Sequence, residues 1–273
     1  MTVSALLDYD FMRRALVVGL LIALCCAVLG VPLVLRRFAM IGDGLSHTAF
    51  AAMSLALAVG WAPLSFALPV VTLASVALLY LSDRGHLKGD GAIAMIATSA
   101  MALGVTVASL SRGITADIYA YMFGSILAIS PSELALSVGL SVVVLTVYAL
   151  AFDRLFAVSF DEAFARAVGL KTGRYRLLLA VLTAVTVVLG LRLVGALLIG
   201  GLIIFPSAGA MHLSHTYRGV VLSAAALAVV AMLAGLVISF YADLPTGATV
   251  VLMDLVLYII CALFGLWRRR LKA

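Results

Sequence analysis

The sequence predicts an all-α protein, a polytopic transmembrane helical bundle of about eight or nine spans forming one domain over residues 1–273. Composition is the first observation: 65% of the residues are hydrophobic, only 11% are charged, and the mean hydropathy is +1.25. A soluble domain carries about 25% charged residues. The second observation is that the apolar runs are long enough for helices and show no alternating ten-residue pattern of a barrel.

The spans follow in order along the chain. The first apolar run is closed by Arg36-Arg37, and Gly60-Trp61-Ala62-Pro63 divides the next run because proline disfavours helix at the residue before it. Residues 118–132 are uncharged but short, which fits either a half-helix or a tilted span. The predicted spans are 15–35, one ending near 59, 64–81, 91–111, 134–152, 177–191, 193–211, 219–242 and 244–267.

Charge predicts which loops face the cytoplasm. The net charge of +6 lies in short basic clusters between apolar runs, which does not indicate nucleic-acid binding. The loop 153–176 and the tail 268–272 are basic and should be cytoplasmic under the positive-inside rule. The four spans between them make the two assignments agree. The side of the N-terminus depends on whether 118–132 crosses, and the sequence leaves it open.

Asp43 and His47 are the candidate chemical site. Their i,i+4 spacing would place both side chains on one face of a helix that continues through apolar residues to Val59. An ionisable residue there costs roughly 2.5–3.5 kcal/mol on insertion scales, so it usually faces a partner, a cavity or a transported ion. Carboxylate oxygen and imidazole nitrogen both bind zinc or manganese. The alternative is a pair that only satisfies each other across one turn.

One aspartate and one histidine fall short of the three or four ligands that zinc takes. A twofold dimer would supply two of each, and such dimers are the commonest symmetric oligomers. Gly42 and Gly44 flank the aspartate and would let another backbone or a ligand approach. The hypothesis is therefore a metal-ion path with Asp43 and His47 as the ligands.

A short amphipathic helix is predicted within 159–172. Ser159 and Glu162 have the spacing of a capping box, and Gly169 is placed to end a helix of two to three turns. The apolar stripe is Phe160, Ala163, Phe164, Ala167 and Val168. Such a helix can rest on the bilayer surface. The acidic residues of its first turn favour a protein groove over anionic lipid.

The remaining polar residues predict little chemistry. Cys25, Cys26 and Cys261 lie in apolar runs and behave as small hydrophobes. Asp254 lies in the last apolar run, where a structural hydrogen bond is expected. The chain has no Gly-x-x-x-x-Gly-Lys-Ser/Thr phosphate loop, so it is not expected to be an enzyme that hydrolyses ATP.

Five stretches, in this order, carry a resemblance to a known family. They are Arg36-Arg37 with Gly42-Asp43-Gly44-Leu45-Ser46-His47, Phe123-Gly124-Ser125-Ile126-Leu127, the amphipathic segment 160–169, Val194–Ala210, and Leu244-Pro245-Thr246-Gly247. Together they resemble the zinc/manganese ABC transporter permeases of the ABC-3 family. The likeness runs from about residue 11 to 267. One departure is Gly44, where many relatives have alanine.

The resemblance implies a homodimeric, multi-pass subunit of a bacterial plasma (inner) membrane importer. Its partners would be two cytoplasmic ABC ATPase subunits and an extracellular or periplasmic metal-binding protein, with no permanently bound cofactor. Asp43 and His47 would line the metal path. The ATPase-coupling residues would be Phe160, Asp161, Glu162, Ala163, Phe164, Ala167 and Gly169.

The cargo is not decided by these motifs. Zinc is expected because the affinity order favours it over manganese, and import of manganese or iron by the same architecture is the alternative. A secondary carrier without an ATPase would instead show inverted repeats with paired broken helices, and no clear repeat is found. A metal chelate would need a wider path than a constriction of two carboxylates and two imidazoles.

Overall fold

A computed structural model describes residues 10–84, 89–111, 120–124, 130–196 and 198–270. These ranges are helical and contain no strand, as the sequence predicts. In chain order the helices are α1 Asp10–Leu35, α2 Ile41–Val59, α3 Pro63–Arg84, α4 Gly89–Leu110, α5 Pro131–Leu150, α6 Phe152–Phe160, α7 Glu162–Ala167, α8 Thr172–Val194, α9 Ile199–Leu213, α10 Tyr217–Ala242 and α11 Thr246–Arg270.

The prediction of about eight or nine spans is consistent with these helices. Within the described ranges, seven are long and apolar enough to cross a membrane, namely α1, α3, α4, α5, α8, α10 and α11. The helix α2 is of similar length but carries Asp43 and His47. The helix α9 is apolar and has 15 residues.

The predicted span 193–211 is wrong at its start. The helix α8 runs past Arg192 to Val194, because this arginine is held by an ion pair with Glu133 at the start of α5. Gly195, with a φ of 91°, then breaks the chain, and α9 begins only at Ile199. A left-handed φ of this kind is readily adopted only by glycine.

The marginal segment 118–132 is described in part. Residues 120–123 form one helical turn, and the Tyr121 carbonyl accepts a hydrogen bond of 2.9 Å from the Ala196 N–H. These residues therefore pack on the break after α8 and do not cross the bundle. The helix after them begins at Pro131, earlier than the predicted span 134–152, and Ser130 and Glu133 form a complete capping box at its start.

Three glycines allow the chain to cross itself closely at this end of the bundle. A Cβ atom at Gly124 would overlap the backbone of α8, one at Gly195 the backbone of residues 122–124, and one at Gly247 the Val194 carbonyl. Three of the stretches that carry the family resemblance therefore meet at one place. Their glycines are explained by backbone contact.

The start of α2 and the short helix α7 lie at the same end of the bundle. The Arg36 guanidinium donates a hydrogen bond of 2.8 Å to the Glu162 carboxylate, across 126 residues of sequence. The positive-inside rule assigns this end, which carries the basic loop 153–176, to the cytoplasm. The same rule then predicts that the N-terminal end of α1 lies on the outer side, an orientation that the sequence alone left open.

Candidate functional site

The turn before α2 fixes where the site begins. The helix α1 ends in a Schellman motif, in which the Phe38 N–H bonds the Leu33 carbonyl and the Arg37 N–H bonds the Val34 carbonyl. Arg37 takes the left-handed position with a φ of 60°. The helix α2 begins four residues later, so Asp43 lies in its first turn, where the helix dipole favours a carboxylate.

Asp43 and His47 share one face of α2, as the spacing predicts, but they do not saturate each other. The His47 Nε2 atom lies 3.7 Å from Asp43 Oδ2, which is longer than a hydrogen bond. Among the described residues, the His47 Nδ1 atom is buried without a hydrogen-bond partner. This geometry argues against the alternative that the two side chains are present only to form a hydrogen bond with each other.

The two side chains open into a cavity of about 460 Å³ between α2 and α4. Met40 and Asp43 line it at the start of α2, and His47 lies one turn further along. The α4 wall is Ile93, Ala94, Ala97, Thr98 and Met101. A carboxylate and an imidazole are therefore presented together to an open space with otherwise largely apolar walls.

The glycines around Asp43 admit close packing on both sides. A Cβ at Gly42 would lie 2.7 Å from Cδ1 of Ile203 in α9, and one at Gly44 would lie 2.8 Å from Cγ2 of Ile93 in α4. A Cβ at Gly200 would lie 3.6 Å from the Asp43 Cβ. The first turn of α2 is thus clamped between two helices, and the neighbours that approach the glycines are side chains of this chain.

One chain presents one carboxylate and one imidazole to this cavity. In the part of the chain that the structure describes, no group of three or more His, Cys, Asp or Glu side chains could hold a metal ion. Zinc normally takes three or four protein ligands. Asp43 and His47 of one chain therefore offer fewer ligand groups than a zinc site of ordinary composition has.

The predicted docking segment is split into two helices, and its capping box is wrong. Ser159 lies inside α6, and the N-cap of α7 is Asp161, whose carboxylate accepts a 2.9 Å hydrogen bond from the Phe164 N–H. Asp161 is extended, with φ −145° and ψ 97°, which ends α6 at Phe160. Consequently α7 has six residues, fewer than the two to three turns expected.

The apolar stripe of this segment points away from the bundle. Phe160 is 72% exposed and Phe164 is 62% exposed, while Ala165 on the opposite side of α7 is fully buried. The other stripe residues, Ala163, Ala167 and Val168, are exposed as well. Gly169, with a φ of 85°, ends α7 as predicted, in a Schellman motif with Leu170.

The sequence did not predict the partners of Glu162. Its carboxylate accepts hydrogen bonds from Arg36 at 2.8 Å, Arg166 at 3.0 Å and Arg176 at 3.1 Å. Only the i,i+4 spacing to Arg166 is visible in the sequence. The other two partners come from the end of α1 and the start of α8, which only the fold brings to this point.

The structure accounts for the cysteines and for the Glu133–Arg192 pair, but not for Asp254. The three cysteines are buried and unpaired, as expected of small hydrophobes. Asp254 is 2% exposed, and neither carboxylate oxygen is hydrogen-bonded within the described residues, so the expected structural hydrogen bond is not found. Nothing in the structure explains this residue. The sequence shows only one sign of the Glu133–Arg192 ion pair, which is a single arginine between two apolar runs.

Comparisons with known proteins agree with this architecture. The model of the family described as the ABC 3 transport family matches residues 8–265. The manganese import system permease protein ScaB of Streptococcus gordonii is 28% identical over 273 residues, 99% of this chain and 97% of that protein. The high-affinity zinc uptake system membrane protein ZnuB of Haemophilus influenzae is 29% identical over 253 residues, 92% of this chain and 97% of that protein.

A solved structure has the same fold over nearly the whole chain. It is PsaBC from Streptococcus pneumoniae in complex with Fab, with a TM-score of 0.85 and 25% sequence identity. The alignment covers 95% of this chain and 93% of that chain.

Proposed function

Since the chain belongs to the ABC 3 transport family, we propose that it is the membrane-spanning permease subunit of an ATP-driven importer for divalent transition-metal ions. It is a multi-pass protein of the bacterial plasma membrane, and it is not itself the ATPase. The observation that carries the proposal is the geometry of Asp43 and His47. These two side chains of α2 lie too far apart for a hydrogen bond, and both line the cavity between α2 and α4. Relatives named for manganese import and for zinc uptake support the cargo class.

The metal would pass between two copies of the chain. Each copy contributes one carboxylate and one imidazole from α2, so a twofold dimer assembles a site with two oxygen and two nitrogen donors. An extracellular metal-binding protein would deliver the ion to the outer side. The path would open and close as the first turns of the two α2 helices move together or apart.

Zinc is the cargo that the donor set favours, because zinc binds such sites more tightly than manganese. Manganese is the second candidate, and the specific observation in its favour is the likeness to ScaB. Imidazole and carboxylate serve both metals, so transport must be measured to choose between them.

The test is metal uptake in proteoliposomes that contain the permease and its partner ATPase. Uptake of Zn²⁺, Mn²⁺ and Fe²⁺ is compared for wild type, Asp43→Ala and the matched control Asp153→Ala, whose carboxylate is exposed at the cytoplasmic end. We expect ATP-dependent uptake that Asp43→Ala abolishes and Asp153→Ala retains. Unchanged uptake in Asp43→Ala would remove the site, and uptake driven by a proton gradient without ATP would favour a secondary carrier.

Two ATPase subunits would dock at the exposed stripe that includes Phe160 and Phe164. The replacement Phe164→Asp places a charge at the centre of this apolar surface. We expect the variant to fold and to lose co-purification with the ATPase. A Phe164→Asp variant that still co-purifies at the wild-type ratio would argue against docking and for a helix that rests on the bilayer.

A further inference from the structure

Glu162 is the centre of an ion cluster at the cytoplasmic end of the bundle. Its Oε2 atom is 2.8 Å from the Arg36 guanidinium, and its Oε1 atom is 3.1 Å from that of Arg176. The three side chains are largely buried, with exposed fractions of 12% for Arg36, 24% for Glu162 and 14% for Arg176. Arg166 also bonds Glu162, but it is 71% exposed and peripheral.

The cluster joins three elements that the sequence keeps far apart. Glu162 is the first residue of α7, Arg36 directly follows the last residue of α1, and Arg176 is in the first turns of α8. The helix α7 has only six residues and buries only Ala165, so apolar packing holds it weakly. The ion pairs are therefore the principal polar link between the docking segment and the membrane helices.

Arg36 is also the member of this cluster that lies closest to Asp43 along the sequence. Arg37 and Phe38 form the Schellman turn after it, and α2 begins at Ile41 with Asp43 in its first turn. Hydrogen bonds hold the short connection, since the Phe38 carbonyl accepts from the Ile41 N–H and the Met40 carbonyl from the Gly44 N–H. A displacement of Arg36 is thus passed to Asp43 through a stiff turn rather than through a loose loop.

The arginine charges of this link are permanent. Burial lowers the pKa of Arg36, and the adjacent Glu162 carboxylate opposes that shift. An arginine in a protein remains protonated at any physiological pH. Removing one partner of a pair that is largely buried leaves the other charge without compensation.

We propose that Arg36, Glu162 and Arg176 are positioning residues that transmit the movement of the docking segment to the first turn of α2. This inference rests on the proposed function, because it assumes that an ATPase moves the segment. It assigns to Glu162 a role distinct from docking, since its carboxylate points to the arginines while Phe160 and Phe164 face outward. Loss of the link should leave ATPase binding intact and disconnect ATP hydrolysis from metal movement.

The test uses Glu162→Gln in the full permease–ATPase complex in proteoliposomes, with Zn²⁺ uptake and ATP hydrolysis measured together. We expect normal co-purification, ATP hydrolysis near the wild-type rate, and a ratio of ATP hydrolysed to zinc imported that rises roughly tenfold, within the usual range for coupling between sites. The matched control is Asp153→Asn, which neutralises an exposed carboxylate paired loosely with Arg218 at 3.6 Å. Its ratio should stay that of the wild type.

A second variant keeps the test decisive if Glu162→Gln fails to fold. Arg36→Gln removes the other half of the link and should raise the ratio in the same direction. Combined in one chain, the two changes should be no worse than the more severe of them, because both break one link. A ratio equal to that of the wild type in either folded variant overturns the proposal.

The outcomes separate this inference from the function on which it rests. A wild-type complex that imports no metal with ATP contradicts the proposed function. A wild-type complex that imports metal, with a Glu162→Gln variant of unchanged ratio, contradicts only the transmission role. A Glu162→Gln variant that loses the ATPase also contradicts it, since Glu162 would then be a docking residue.

Discussion

Two groups of polar side chains flank the turn between α1 and α2, and their carboxylates are paired to different degrees. On the cytoplasmic side, Glu162 bonds the Arg36 and Arg176 guanidiniums at 2.8 and 3.1 Å. On the membrane side, Asp43 and His47 are 3.7 Å apart and face a cavity. Both oxygens of the Glu162 carboxylate are hydrogen-bonded by arginines, although the Arg36 Nη1 atom is buried without a hydrogen-bond partner among the described residues. In the second group, the Asp43–His47 distance is longer than a hydrogen bond, and the His47 Nδ1 atom is buried without a partner among the described residues.

The difference is informative because unsatisfied polar groups in a membrane are costly. A protein can lower that cost by pairing the groups, as it does around Glu162 and between Glu133 and Arg192. Where an unpaired carboxylate and imidazole share one cavity, as Asp43 and His47 do, a cation is a natural ligand. We interpret the ion-paired groups as structural or mechanical parts, and the Asp43/His47 pair as the place where a cation passes.

The largest effect is expected for His47→Ala. A dimer of this variant would lose two of the four proposed ligands, and loss of a residue that only hydrogen-bonds a metal ligand already weakens metal binding roughly 10–100-fold. We expect the zinc affinity of the purified permease, measured by isothermal titration calorimetry, to fall more than about 100-fold. The control is His215→Ala, an imidazole near Tyr217 and outside the α2 cavity. Equal affinities in wild type and His47→Ala would place the metal elsewhere.

Replacing a residue of the Glu133–Arg192 ion pair should have a different effect from replacing His47. Glu133→Gln removes the charge that holds Arg192, and charged hydrogen bonds contribute about 1.5–3 kcal/mol each. We expect a lower Tm in detergent with zinc affinity unchanged within about twofold, a margin within the ±0.5 kcal/mol expected away from special features. A large loss of zinc affinity with an unaltered Tm would reverse the interpretation of this pair.

A third prediction concerns the glycine crossing near the outer end. A Cβ at Gly247 would overlap the Val194 carbonyl, and overpacking of this kind costs about 1–3 kcal/mol. Gly247→Ala should therefore lower the Tm by a few degrees. At Gly139, in the middle of α5, an added Cβ meets nothing within 4 Å, so Gly139→Ala should leave the Tm equal or higher. Identical melting curves for the two variants would contradict the close crossing.

The smallest effect is expected for Gly44→Ala. Its Cβ would lie 2.8 Å from Cγ2 of Ile93, so the Ile93 side chain must move aside. Overpacking by one methyl group costs about 1–3 kcal/mol of stability, but Asp43 and His47 are retained, so zinc uptake in proteoliposomes should stay within about threefold of wild type. Complete loss of uptake would mean that the spacing of α2 and α4 is tuned far more finely than these contacts indicate.

The sequence predicted the parts of this architecture that depend on local pattern. Hydropathy located the helices, and the i,i+4 spacing placed Asp43 and His47 on one face. Other predictions were wrong because a neighbouring residue took the predicted role. Ser159 has a capping-box pattern, yet Asp161, which has an extended backbone, caps α7 instead. Arg192 seemed to divide two spans, but its distant partner Glu133 draws it into α8.

Contacts between residues far apart in the chain could not be predicted from a single sequence. Arg36 and Glu162 are 126 positions apart, and no pattern in either neighbourhood indicates the other. Burial does not explain every polar residue either, since Asp254 is buried without a hydrogen bond to any described residue. The fold reveals the contact between Arg36 and Glu162, because it brings the ends of α1, α7 and α8 together.

The most direct test of the Asp43/His47 pair is X-ray absorption spectroscopy of zinc bound to the purified permease dimer. We predict one zinc per two chains, bound by two imidazole nitrogens and two carboxylate oxygens at about 2.0–2.2 Å. His47→Ala should remove the imidazole scattering. A spectrum with no imidazole ligand in the wild type, or one that His47→Ala leaves unchanged, would contradict the account.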